Sequence, residues 1–129
     1  MINSNAFDYI NVLDKAADAS AYRNELLANN IANQDTPEYK RQDIDFESQL
    51  RTAMKHSKYT SIDSKVANLR MSSLTPRQFT DYENYSYRLD GNNVDPEQEQ
   101  IKLAANQIKY EGLMDSLTAE FNNLSTAMK

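Results

Sequence analysis

Apolar residues recur along this chain at two long helical periodicities separated by a stretch with neither strong period nor strong hydrophobicity. From about Asn5 to Ala32 there is no proline and no glycine, and Ile10, Leu13, Ala17, Ser20, Asn24, Leu27 and Ile31 fall at alternating spacings of three and four. That is a heptad seam, and it predicts a coiled-coil helix carrying two polar residues, Ser20 and Asn24, inside its apolar stripe. A polar residue at a seam position lowers stability but can fix register and partner number. Ser4 or Asn5 is positioned to cap the start, because either side chain can accept from a free backbone N–H of the first turn.

The second periodic segment opens on Asp95-Pro96-Glu97-Gln98, which reads as an N-cap, a proline at the first helical position and a capping-box glutamine. Leu103, Tyr110, Leu117 and Leu124 follow at strict sevens, Leu113 and Ala127 fill the alternate seam, and Met114, Phe121 and Met128 widen the stripe on one side. Helices of this length run roughly 40–50 Å at 1.5 Å per residue, which favours an elongated molecule. Gly112 inside this helix costs about 1 kcal/mol against alanine; it either admits a neighbouring backbone or is tolerated, and the second reading is preferred.

Between the helices the period changes. Phe46, Leu50, Ala53 and Met54 predict a short helix from Asp45 to about Lys55, whereas His56 to Asp81 is polar, weakly periodic and expected to be loop or mobile. Tyr85, Tyr87 and Leu89 alternate with Ser86 and Arg88 ahead of Asp90-Gly91-Asn92-Asn93, which predicts a short strand running into a turn. The expected fold is therefore mainly α and elongated. Residues 1–33 and 95–129 form coiled-coil helices, and 34–94 form a middle segment of turn, short helix, loop and small β element.

Composition narrows the function more than the fold. At 129 residues the chain is one small domain or an elongated unit that cannot bury a large core alone. Its 14 basic and 19 acidic residues give a net charge of -5, a poor match to nucleic acid or an anionic membrane. No apolar run reaches the ~18 residues of a membrane span, and Met1 to Asp8 lacks the basic-then-apolar pattern of a cleavable signal peptide. Cysteine is absent, which excludes disulfides and thiolate chemistry, and Gly91 and Gly112 are the only glycines, too few for a phosphate-cradling loop.

No catalytic, cofactor or metal site is expected. Asp43, Asp45 and Glu47 have the spacing of acidic ligands, but Ser48 stands where a calcium loop requires glycine. The simpler reading turns Ile44 and Phe46 inward and leaves the acids in water or capping a helix. His56 is the only histidine and sits in a polar, lysine-flanked stretch, so it reads as a surface residue. Tyr59, Tyr82, Tyr85 and Tyr87 suit either a subunit interface or a small β element packed on its own helices. The heptad stripes likewise fit an intramolecular pair or a surface completed by other subunits; the widened C-terminal stripe favours further partners.

One segment remains, and it is the most informative. Asn29-Asn30-Ile31-Ala32-Asn33, followed by Asp35-Thr36-Pro37 and Tyr39-Lys40, resembles the N-terminal motif shared by rod, hook and hook-associated proteins of the flagellar axis. Asp43-Ile44-Asp45-Phe46-Glu47, together with Asp90-Gly91-Asn92-Asn93-Val94-Asp95 and Asn106-Gln107-Ile108-Lys109-Tyr110, resembles the FlgB branch of that group. On physical grounds Asn33 is expected to end the helix in a left-handed conformation, and Pro37 keeps the helix from resuming. Glu38 stands where the family usually has glycine. A positive φ there would be costly, so a type I turn is expected at Thr36-Pro37-Glu38-Tyr39.

The resemblance implies a non-enzymatic subunit of the proximal rod in the bacterial basal body, polymerising through its terminal helices to connect the inner-membrane ring to the rest of the drive shaft. It implies export by the flagellar type III apparatus without signal cleavage, to the periplasmic side of the inner membrane or the cell-wall space. Partners implied are other copies of itself, other rod subunits, the ring-to-rod adaptor protein and the inner-membrane ring protein, with no nucleic acid and no membrane insertion. The motif and turn residues are Asn29, Asn30, Ile31, Ala32, Asn33, Thr36, Pro37 and Tyr39. The subunit-packing seam is Ile10, Leu13, Leu27, Ile31, Leu103, Tyr110, Leu113, Leu117, Phe121 and Leu124. The alternatives are another rod- or hook-type axial component, or a soluble helical adaptor or export chaperone.

Overall fold

A computed structural model describes residues 6–83 and 88–129. Two long helices dominate it, α1 (Ala6–Ala32) and α4 (Pro96–Ala127). Between them lie β1 (Gln42–Ile44), α2 (Phe46–Lys55), α3 (Ile62–Ala67), a 3₁₀ turn (Met71–Ser73) and β2 (Gln78–Thr80). The expected caps Ser4 and Asn5 fall outside the described residues, as do Tyr85 and Tyr87 of the expected strand. No described helix is long and apolar enough to cross a membrane.

The helices α1 and α4 run antiparallel and share one apolar seam. Ile10, Ala17 and Leu117 are buried, with Leu13, Tyr110, Leu113 and Leu124 packed around them. The start of α4 follows the sequence closely: the Asp95 carboxylate accepts from the N–H groups of Glu97 and Gln98, and Pro96 occupies the first turn where its missing N–H costs nothing. Gly112 has nothing within 4 Å of where its Cβ would stand, so within this chain it is tolerated rather than required.

The middle segment packs on a second face of α1. Ala19 and Leu26 of α1 join Ile44, Phe46 and Leu74 in a second core, flanked by Ala16, Leu50, Ala53, Leu69 and Met71. Helix α2 begins where Asp45 accepts from the Ser48 N–H, and Phe46 is buried while Asp45 faces solvent. The stretch from His56 to Asp81, expected to be loop or mobile, is instead structured. It contains α3, capped by Ser61, and the 3₁₀ turn, and its Val66 and fully buried Leu74 anchor it to the core. Polar composition hid this because two well-placed apolar residues suffice to pin a short segment.

A strand that the sequence did not indicate forms within the middle segment, while most of the strand expected at residues 85–89 lies outside the described residues. β2 pairs antiparallel with β1 in the register Gln42↔Thr80, Asp43↔Phe79, Ile44↔Gln78, whereas Leu89 is a fully exposed turn residue.

Candidate functional site

The chain leaving α1 is redirected by side chains rather than by an unusual backbone at Asn33. Asn33 donates from Nδ2 to the Asn29 carbonyl at 2.8 Å, and Thr36 donates from Oγ1 to Asn33 Oδ1 at 3.1 Å. Among the described residues Glu38 is the one non-glycine residue with positive φ, at 61°, so neither the left-handed Asn33 nor the type I turn is what forms. The turn does close, with the Tyr39 N–H on the Thr36 carbonyl at 3.3 Å, but Glu38 takes the left-handed conformation. A left-handed non-glycine residue costs about 1–2 kcal/mol. The Glu38 N–H, held on the Asp90 carbonyl at 2.8 Å, offsets part of it by tying the turn to the loop before α4.

That loop grips the turn from the other side. Asn92 Nδ2 reaches the carbonyls of Asn33, Gln34 and Thr36 at 2.9, 3.0 and 2.8 Å, gathering three acceptors of the turn that follows α1 onto one side chain. Arg88 donates to the Gln34 carbonyl at 2.8 Å and, on its own side, to Asp90 and the Val94 carbonyl. Asn93 accepts the Arg41 N–H at 2.8 Å through Oδ1 and donates through Nδ2 to the carbonyls of Asp81 and Glu83. Asn92 and Asn93 are both 1% exposed, so these bonds form away from water.

Beneath the turn sits a buried ionic cluster. Arg41 spends its guanidinium on three carboxylates: Glu99 at 2.8 Å, Asp43 at 3.0 Å and Asp81 at 3.3 Å. Arg23 of α1 pairs with both oxygens of Asp43 at 2.7 and 3.0 Å, and Lys102 reaches Glu99 at 3.2 Å. Asn30, fully buried, completes the arrangement. Its Nδ2 donates to Glu99 Oε2 and the Gln42 carbonyl, and its Oδ1 accepts from the Gln42 N–H and the Tyr39 hydroxyl. Every polar function of that side chain is therefore used.

Electrostatics keep Arg41 and Asp43 charged. Burial works against the Arg41 cation, but the hydrogen bonds it donates to Glu99 and Asp43 outweigh it and raise the guanidinium above its usual range. Burial likewise works against the Asp43 carboxylate, and the bonds from Arg23, the Ile44 N–H and Arg41 reverse that and hold it below the ordinary carboxylate range. Each buried acid in this cluster meets a guanidinium or an ammonium, which leaves it as a lock rather than as a proton donor or nucleophile.

Of the residues singled out in the sequence, Asn30, Asn33, Thr36 and Tyr39 converge here, and Asn29 contributes its carbonyl. Ile31 is half-buried, while Ala32 and Pro37 face solvent. The three acids part company. Asp45 caps α2 and Glu47 pairs with Lys109 at the surface, whereas Asp43, expected in water or at a cap, is buried in the cluster. His56 is exposed at the end of α2. Arg41, Asn92, Asn93, Glu99 and Asn106 were not anticipated as site residues. Glu99 and Asn106 carried a readable signal, since they continue the spacing of three and four through Leu103 and Tyr110.

The outer surface of α4 is the second feature. Ile101 is 70% exposed, Ile108 71% and Phe121 56%, and Met128 just past its end is 83% exposed, so much of its apolar surface has no cover among the described residues.

Long antiparallel helices, a buried polar clasp joining their ends and uncovered apolar faces define a helical structural subunit. No family model matches the chain. Its relatives include flagellar basal body rod protein FlgB of Bacillus subtilis, 30% identical over 126 residues covering 90% of this chain and 89% of the relative. FlgB of Escherichia coli is 31% identical over 126 residues, covering 89% and 88%. FlgB of Cereibacter sphaeroides is 33% identical over 108 residues, covering 83% of each. The chain belongs to the family of the flagellar basal body rod protein FlgB.

Proposed function

We propose that this chain is the rod subunit that polymerises through its terminal helices and connects the inner-membrane ring to the rest of the flagellar drive shaft. Membership of the FlgB family makes it a structural component of the flagellar basal body. The finer reading rests on one observation: α4 presents apolar side chains on its back and on one flank, beyond the seam that α1 covers. Exposed apolar area of this extent is stabilised by contact with other subunits.

In this reading residues 1–33 and 95–129 line the inner tube and residues 34–94 face outward. The seam from Ile10 to Leu124 serves subunit packing. Other rod subunits, the ring-to-rod adaptor and the inner-membrane ring protein are the neighbours, reached by type III export to the periplasmic side.

Leu117 and Leu124 support the helix pair within the chain, so substituting them tests folding together with assembly. Ile108→Asp and Phe121→Asp touch only exposed positions. The expected result is normal expression and an unchanged circular dichroism spectrum with exclusion from isolated basal bodies and loss of swimming. Incorporation of both variants at wild-type levels would overturn the reading.

A further inference from the structure

Charge is distributed unevenly along this chain. Between Arg51 and Arg77 stand six basic residues (Arg51, Lys55, Lys58, Lys65, Arg70 and Arg77) and one acid, Asp63; the remainder holds eight basic residues against 18 acids. Cations seen in ion pairs among the described residues include Arg23, Arg41, Arg88, Lys102 and Lys109, all outside this stretch. Among the described residues none of the six has an ion-pair partner. Lys58 lies over the Tyr59 ring, and Asp63 is occupied by the Tyr9 hydroxyl. His56, Lys58, Lys65 and Arg70 line one groove of about 440 Å³ that contains no carboxylate. Beside it Ile62 projects, 64% exposed.

A surface of opposite character lies on the other side of α1. A groove of about 560 Å³ runs between α1 and α4, floored by Ile10, Leu117 and Phe121 and edged by Asp14 and Asp18, both exposed. At 3.6 residues per turn Asp18 stands roughly 200° around the helix from Ala16, which packs against the middle segment. The Asp14–Asp18 edge therefore lies on the face of α1 turned away from the middle segment that carries the basic surface.

We propose that the basic surface around Lys58, Lys65 and Arg70 docks, together with Ile62 beside it, onto the Asp14–Asp18 groove of a second copy of this chain. Both halves of the match are on the molecule: cations beside an apolar projection on one face, acids around an apolar floor on the other. A free polyanion would satisfy the cations but leave Ile62 without a partner. The contact joins two different patches, so it is heterologous and extends into an open polymer rather than closing as a dimer. It deepens the rod reading and rests on it only for the expectation that copies meet side by side.

The natural chain has no cysteine, so single cysteines can be placed at will. Full-length Lys65→Cys and Asp18→Cys proteins, mixed at low ionic strength with a short bis-maleimide, are expected to give heterodimers about tenfold above a Lys65→Cys and Lys129→Cys control, and high salt is expected to suppress them. Lys65→Glu with Arg70→Glu, introduced into the Lys65-side partner through a Lys58→Cys probe, is expected to lower the yield about tenfold, and Asp14→Lys with Asp18→Lys on the other partner, probed through Asn11→Cys, to restore it. A yield equal to the control, or no recovery on charge swapping, overturns the proposal. So does charge-dependent binding to phosphatidylglycerol vesicles without cross-linking, which would assign the patch to a membrane. Recovery of the Lys65→Glu, Arg70→Glu protein in basal bodies at wild-type levels, with no cross-link, removes this contact and leaves the rod reading standing.

Discussion

The side-chain amide of Asn30 lies 2.9 Å from Oε2 of Glu99, joining the last turns of α1 to the first turn of α4 at a point where both residues are at most 1% exposed. Neither group can turn to water if the other is lost. This single bond explains why an asparagine, a poor helix former, occupies the interior of a seam helix here. It also closes the two helices into one unit at the end where the chain departs for the middle segment.

Asn30→Ala is therefore expected to cost about 3 kcal/mol in urea unfolding, because it leaves the Glu99 carboxylate, the Gln42 backbone and the Tyr39 hydroxyl short of partners in a dry site. Tyr39→Phe removes one of those bonds and should cost about 1 kcal/mol. Asn30→Asp should be worse than alanine, since it sets a second carboxylate against Glu99. Equal losses for Asn30→Ala and Tyr39→Phe would show that the amide is not the centre of the clasp.

A pH dependence follows from Asp43. Its folded pKa is depressed, so its contribution is fully present above its unfolded pKa, near 4, and is lost as pH falls through the lower folded value. Arg41 is raised, but beyond any accessible pH, and adds no slope of its own. Urea midpoints should hence be level from about pH 5 to 7 and fall below about pH 4. Arg23→Gln removes the bidentate partner, so the decline should begin at higher pH, with a loss of about 2 kcal/mol at pH 7 given that Arg23 is partly solvated. Asp43→Asn should flatten this part of the acid limb while lowering stability at neutral pH. An unchanged acid limb in Arg23→Gln would contradict the assignment.

The turn offers a backbone test. Glu38 and Gly91 both have positive φ, at 61° and 73°, and they face each other across the clasp. Glu38→Gly should be neutral to stabilising by up to about 1 kcal/mol, relief of left-handed strain being set against the greater entropy of the unfolded glycine. Gly91→Ala should destabilise by about 1 kcal/mol through φ alone, because a Cβ there would meet Glu38 only at 3.7 Å. Thermal melts of the two variants that shift in the same direction would refute this account.

The sequence displayed the long helices, the seam through Ile10, Leu27 and Leu117 and the Asp95 cap, because these depend on local period and capping chemistry. It concealed what depends on distant partners. Asp43 looks like a surface acid until Arg23, 20 residues earlier on α1, closes on it together with the neighbouring Arg41. Glu38 looks too costly at positive φ until the Asp90 carbonyl, far along the chain, holds its N–H. Leu74 is a lone apolar residue in a polar stretch, and no window analysis shows that it is wholly buried against α1. Glu99 and Asn106 were in plain view by spacing, but an apolar template passes over polar seam positions.

Asn106 supports the last prediction. Leu103, Tyr110, Leu117 and Leu124 recur at strict sevens, so an antiparallel partner slipped by one heptad would meet nearly the same apolar profile. A polar layer breaks that degeneracy. Asn106 donates from Nδ2 to the Ser20 carbonyl at 2.7 Å and to Asn24 Oδ1 at 2.8 Å, and accepts from the Ser20 hydroxyl at 3.2 Å. Slipped by seven, Asn106 would face Leu13 or Leu27, where its amide has no partner and costs about 1–3 kcal/mol. Replacing the layer with Ser20→Ala and Asn106→Leu exchanges a satisfied polar pair for apolar packing, so the doubly substituted chain should be as stable as the natural one or more so by about 1 kcal/mol. Its register should nevertheless be less defined. Spin labels placed singly at Asn11 and at Thr118 should give one distance in the natural chain. The variant should add a second, longer-distance population, produced by an axial displacement of about 10 Å, the rise of seven helical residues. A single unchanged distance in the doubly substituted chain would transfer the task of setting register from Asn106 to the clasp at Asn30 and Glu99.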